Sequence, residues 1–131
     1  MPEDSKFYRH SQKHVILFLK QLSKKKIRVS GSKEFERFYK SLNANEELKR
    51  YIDDAMDSLK EEPAIGNKIE KKLWPKKYVK NYGTNNLFRY SIGSNWRMIY
   101  TIIGDGNEIT CAILEVLTQK EYDNIFGYMT T

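Results

Sequence analysis

The sequence predicts an α+β fold: a twisted antiparallel sheet of about four strands packed on an N-terminal helical hairpin, with an extra helix ahead of it. Three observations predict it. Two consecutive segments, 32–42 and 46–61, place apolar residues at helical spacing, and three strand-like segments follow one another after residue 87. The chain has 131 residues, enough for a single hydrophobic core, and a helical hairpin must then cover one sheet.

The elements follow in order. Val15, Phe18, Leu19 and Leu22 recur at helical spacing over residues 11–22, ahead of the basic run Lys24-Lys25-Lys26 that suits a helix C-terminus. Ile27-Arg28-Val29 is a short strand closed by Ser30-Gly31. Ser32 is placed to cap a helix bearing Phe35, Phe38, Tyr39 and Leu42. From Glu46 to Glu61 the residues Leu48, Tyr51, Ile52, Ala55, Met56 and Leu59 form one apolar stripe. Asn45 is its expected cap and Pro63 its stop. Residues 64–86 read as one short strand and a loop, punctuated by Pro75 and Gly83. Phe88, Tyr90 and Ile92 then alternate with Arg89 and Ser91, and Gly93-Ser94-Asn95 connects to a second strand, Trp96 to Ile103. The turn Gly104-Asp105-Gly106-Asn107 leads into Glu108–Leu117, which is apolar on both faces and so expected inside the sheet. A short helical turn ending at Gly127 closes the pattern. The expected organisation is a basic helical extension, 1–26, and one domain, 27–131.

Charge narrows the function classes. The net charge is +6, and it is unevenly distributed. Residues 1–33 hold nine basic and two acidic side chains, and 66–100 hold eight and one. The intervening block 34–65 has five basic against nine acidic, and 101–131 one against five. Clustered cations suit a polyanionic partner, because displacing counterions from phosphates favours binding. The apolar run Val15–Leu19 is far too short to span a bilayer, and no cleavable signal is visible, so a cytoplasmic protein with no membrane partner is expected. Cys111 lies in a strand-like setting as a buried thiol. His10 and His14 stand four apart, but no further His completes a metal site, so no metal and no cofactor are expected.

The element order from Ile27 onward, together with Asn86-Leu87-Phe88-Arg89-Tyr90-Ser91-Ile92-Gly93-Ser94-Asn95-Trp96-Arg97-Met98-Ile99-Tyr100, resembles the RelE/ParE superfamily of bacterial and archaeal toxins. Members carry an arginine-bearing strand, a Gly turn, an aromatic-Arg pair, two apolar residues and a Tyr, the last part matched by Trp96-Arg97-Met98-Ile99-Tyr100. The resemblance covers about residues 27–128. It implies a toxin and an antitoxin that wraps it. The RelE-like branch is an mRNA interferase, a metal-independent endoribonuclease that inhibits translation by cutting messenger RNA on the ribosome through the RNA 2′-OH. The ParE-like branch instead poisons DNA gyrase, and an RNA-binding relative without catalysis is a further alternative.

Cleavage by an internal 2′-OH needs a base, a cation on the developing phosphorane and an acid for the leaving oxygen. Arg97, which aligns with the family's strand arginine, is the expected phosphate cation. Arg89 is expected on the same polar face as a second phosphate contact. Lys76, Lys77 and Lys80, interleaved with Tyr78 and Tyr82, suit phosphate contact with base stacking. The C-terminal stretch departs from the family: Gln119 stands where many members have His, and Lys120 is the one basic residue after Arg97. Lys120 with Tyr122 or Tyr128 is therefore the catalytic candidate there.

Overall fold

The computed structural model describes residues 26–127. The helix expected over residues 11–22, His10, His14 and Tyr128 lie outside them. The elements are β1 (Lys26–Gly31), α1 (Lys33–Ser41), α2 (Glu47–Glu61), β2 (Asn67–Lys68), α3 (Lys76–Tyr82), β3 (Phe88–Ile92), β4 (Trp96–Asp105), β5 (Glu108–Thr118) and α4 (Gln119–Phe126). Single 3₁₀ turns at Pro63–Ile65 and Lys71–Leu73 flank β2.

The class is α+β, and the sheet has five strands in the order β1-β5-β4-β3-β2. It is mixed rather than wholly antiparallel, because β1 runs parallel to β5 with Ile27 opposite Ile109 and Val29 opposite Cys111. The reason is topological. The chain leaves β1 through α1 and α2, starts again at the opposite edge with β2, and works back by antiparallel steps until β5 fills the place beside β1. The apolar character of β5 on both faces reflects that interior position.

Local signals explain the helices. Ser32 caps α1, its Oγ accepting from the Phe35 N–H at 3.0 Å, and the same hydroxyl donates to the Leu114 carbonyl of β5 at 2.6 Å. Glu46 rather than Asn45 occupies the N-cap of α2; it makes no side-chain cap bond to the helix, and its carboxylate accepts from the Asn43 N–H. Thr118 and Glu121 form a reciprocal capping box on α4, and Gly127 ends it with φ +69°, a left-handed conformation open to glycine. The turn between β4 and β5 is shorter than the sequence suggested: Asp105 pairs with Glu108, and Gly106 takes φ +55° as the first of two loop residues. Residues 64–86 hold more structure than one strand and a loop. Pro75 precedes α3, a helix of seven residues whose periodicity is hidden by its lysines.

The sheet is covered on both faces. On the first, Phe35, Ile52, Ala55 and Leu59 of the α1–α2 hairpin pack on Ile92, Met98, Tyr100, Cys111, Ile113 and Val116. On the second, Tyr78 of α3 and Tyr122 and Phe126 of α4 pack with Ile69, Leu87, Ile99, Leu114 and Leu117. A bulge between β4 and β5 lets both layers form: Ile99 faces Glu115 and Tyr100 faces Ile113, so Leu114 is the extra residue. Cys111 and Ile113 point to the first face before it, and Val116 still does so after it.

Ile52 and Leu59 are fully buried in the first layer. Leu59→Ala or Ile52→Ala is expected to lower unfolding free energy by about 2–5 kcal/mol, as cavity-forming core truncations do. Urea titration followed by circular dichroism measures it; a loss below about 1 kcal/mol for both would mean that the hairpin does not cover the core.

Candidate nucleic-acid interface

Alternation along β3 and β4 sends Phe88, Tyr90, Ile92, Met98 and Tyr100 under the helical hairpin, so Arg89, Ser91 and Arg97 belong to the second face. In the register, Arg89 stands opposite Ile99 and Arg97 opposite Ser91, which makes the two arginines diagonal neighbours. Such positions lie roughly 7–8 Å apart, close enough for two guanidinium groups to serve one phosphodiester segment. Both residues are half-buried.

Their partners differ. Arg97 donates from Nη1 to the Trp96 carbonyl at 2.9 Å and forms no ion pair among the described residues. Arg89 lies over the Tyr122 ring, 5.4 Å from its centroid, and donates from Nη1 to the Tyr122 hydroxyl at 3.4 Å. Tyr122 itself is 1% exposed and stacks on Phe126 with centroids 4.6 Å apart. Lys120 is exposed in the first turn of α4, whose start is tied to the β3–β4 turn by a hydrogen bond from the Gln119 N–H to the Asn95 carbonyl. The structure thus joins Arg89 to Tyr122 and leaves Lys120 and Arg97 at the same end of the sheet.

Lys76, Lys77 and Lys80 are exposed on α3, in keeping with a cationic surface. The expectation for Tyr78 is corrected. It is fully buried, its hydroxyl donates to the Glu115 carboxylate, and burial drives its phenol far above the ordinary range. A ring so enclosed has no face to offer a base. Lys77 completes this cluster, 3.3 Å from Glu115 and 5.2 Å from the Tyr78 centroid, so it pins α3 to β5. The signal for this was a lone Glu115 in the apolar run of β5, which sequence reasoning passed over.

Two further polar centres fix the backbone around the arginines. The Asn86 amide accepts the Ile102 N–H and donates to the Ile102 carbonyl, both at 2.8 Å, and Thr84 bonds Thr101 beside it. This network forms the floor of a groove of about 500 Å³ that also reaches Tyr82 and Ile103. The buried Tyr100 hydroxyl donates to the Pro63 carbonyl at 2.7 Å and accepts the Gly66 N–H at 3.0 Å. Gly66 is obligatory there, since a Cβ would lie 2.6 Å from the Arg89 carbonyl oxygen and 2.8 Å from the Tyr100 hydroxyl. Cys111 is buried, and desolvation raises its thiol to about 11, which makes it inert as a nucleophile at neutral pH.

A five-stranded mixed sheet with a helical hairpin on one face and paired arginines on the other defines the class of small toxin folds that the sequence resembles. The family model of the ParE toxin of the type II toxin-antitoxin system, parDE, matches residues 26–122, and the chain belongs to that family. None of the curated proteins compared with it matches. It is therefore a toxin of a toxin–antitoxin system with a cognate antitoxin as partner. Among the described residues no helix is long and apolar enough to cross a membrane.

Burial pushes the Tyr100 phenol up to about 12, against about 10 for a free tyrosine. The folded state holds this proton more tightly than the unfolded one. Its contribution to stability is therefore intact below about pH 10 and declines as pH climbs toward 12. Stability against urea should fall between those limits, and Tyr100→Phe should remove part of the decline while lowering stability at pH 7 by about 1–3 kcal/mol through its two lost hydrogen bonds. An unchanged alkaline profile in the variant would assign the decline to other groups.

Proposed function

We propose that this toxin acts on RNA held at the uncovered margin of the second face, where Arg89 and Arg97 lie beside α3 and α4, and inhibits translation by metal-independent cleavage. The observation that carries the reading is the diagonal pair Arg89 and Arg97 on one sheet face, with the exposed lysines of α3 on the same side. In this reading Arg97 stabilises the charge of the phosphorane. Its guanidinium has no competing carboxylate among the described residues. The 2′-oxygen bonds to phosphorus and gives its proton to solvent, the P–O5′ bond breaks, and Lys120, exposed at the start of α4, is assigned the proton for the leaving 5′-oxygen. Tyr122 is assigned a structural part, because a hydroxyl in a side chain 1% exposed is out of reach of substrate. It positions the Arg89 guanidinium by cation–π contact and hydrogen bond.

A second reading, inhibition of DNA gyrase by binding alone, is favoured by the ParE description of the family model and by that same burial of Tyr122. Here the arginines would grip a partner instead of a scissile phosphate.

Messenger cleavage in a translating extract and supercoiling by purified gyrase, measured side by side, separate the two. On the RNA reading Arg97→Ala loses about 100-fold or more of the cleavage rate, the usual effect of deleting one preorganised transition-state cation. Lys120→Ala falls in the same direction, Tyr122→Phe keeps most of the activity, and all three remain folded. Intact messenger with inhibited supercoiling would establish the gyrase reading. A folded Tyr122→Phe without cleavage would return that hydroxyl to the reaction.

A further inference from the structure

The basic stretch between α2 and α3 contains a groove that the arginine face does not use. It has a volume of about 400 Å³ and is lined by Lys68, Ile69, Glu70, Lys71, Trp74 and Asn85. That is within the range of pockets that take a small organic ligand, about 300–1,000 Å³. We infer that this groove is a subsite for one nucleotide of single-stranded RNA, its base stacked on Trp74 and its phosphates met by Lys68 and Lys71. The inference rests on the RNA reading above and adds a second point of contact to it.

The wall comes first. Trp74 is half-buried and packs against the second hydrophobic cluster. Its Nε1–H donates to the Ile69 carbonyl at 2.9 Å, closing a loop over the Lys71–Leu73 turn. The indole is thus held before any ligand arrives, and its one polar handle is already used. What remains to a ligand is the π-surface, which suits a nucleobase and adds little for an acidic peptide.

The cations come next. Lys68 and Lys71 are exposed and form no ion pair among the described residues. The carboxylate in the lining, Glu70, is engaged by Lys72 at 3.3 Å, which reduces its repulsion of an anion. Asn85 adds base-edge chemistry: its Oδ1 accepts from the Asn86 amide at 2.9 Å, and its own NH₂ has no hydrogen-bond partner among the described residues.

Placement ties the groove to the arginines. Asn67 stands opposite Arg89 across β2 and β3, and Lys68, opposite Phe88, starts from the other face of this edge strand, so the groove opens at the sheet edge beyond Arg89 and Lys68 reaches it around that edge. A single strand crossing from Arg97 past Arg89 is thereby led off the sheet edge onto Trp74. Duplex RNA keeps its bases stacked on each other and cannot use that wall.

Fluorescence anisotropy of a labelled short oligouridylate, titrated with the full chain, tests this. Trp74→Ala should weaken binding about 5- to 150-fold, the effect of losing one base–aromatic stack. Trp74→Phe should lie in between, and Trp96→Phe, on the opposite face, should be neutral. Because Trp74→Ala also removes packing, Lys68→Ala/Lys71→Ala provides the independent arm. Both are surface residues, and their loss should flatten the salt dependence of binding by about 0.7 per phosphate contact. Circular dichroism checks each fold. Unchanged affinity and salt slope in the lysine variant, equal binding to duplex, or equal displacement by a polyglutamate peptide would each overturn the groove assignment. So would failure of the native chain to bind the oligouridylate. Messenger cleavage in the extract is read separately: cleavage that survives all the groove variants removes this subsite and leaves the arginine reading standing.

Discussion

The bulge in β5 at Leu114 is the constraint on which the remaining structure turns. A strand that alternated strictly would send Val116 to the face opposite Ile113, and one of the two layers would lose its last apolar contact. One extra residue restores Val116 to the hairpin side while Leu114 and Leu117 face α3 and α4. It also brings Glu115 to the second face, where it holds Tyr78 and Lys77. β5 therefore joins β1 to the antiparallel part of the sheet and supplies the anchor for α3 and, through Thr118, the cap of α4. Its carbonyl at Leu114 receives the Ser32 hydroxyl, so the start of α1 is registered on the same strand.

Two-sided coverage separates charge as well as packing. The hairpin turns Glu47, Asp54, Asp57 and Glu61 to solvent on the first side, whereas the exposed charged side chains from Lys68 to Lys80 are basic with Glu70 the exception. The acidic 34–65 block thus lies mostly on the hairpin side, whereas α4 brings Glu121 and Asp123 to the same side as the lysines of α3. On the RNA reading, a field of that shape would orient an approaching polyanion before contact and favour the side that carries the arginines. The acidic side would repel the same partner, which adds direction to attraction.

Much of the fold was legible because its signals are periodic. The stripe from Leu48 to Leu59, the alternation from Phe88 to Ile92 and the Ser32 cap each have a local cause that needs no tertiary context. The parallel pairing of β1 was not legible, since nothing in six residues reveals which strand 77 residues or more away will lie beside them. α3 was hidden because its buried positions, Tyr78 and half-buried Tyr82, are aromatics among lysines, a pattern that equally describes a nucleic-acid-binding loop. The same ambiguity misassigned Tyr78 to the surface. The polar face of β3 and β4 could be read from alternation, which places Arg89 and Arg97 together. The burial of Tyr122 could not, because it depends on how α4 folds back over the sheet.

Asn86 ends the ladder between β3 and β4 in an unusual manner. Its side-chain amide takes both hydrogen bonds of Ile102 that a further strand residue would have taken. The main chain is thereby released one position early and turns away toward Gly83 and α3, while β4 continues alone with β5 to Asp105. A single amide thus marks the frontier of the sheet, and the segment beyond it is joined to the sheet by side chains rather than by backbone pairing. The length from Glu70 to Asn85 can in consequence vary without unpairing the strands, so long as a side chain such as Tyr78 still fills the second layer, and the exposed positions of that stretch are where one scaffold has room to alter what it grasps.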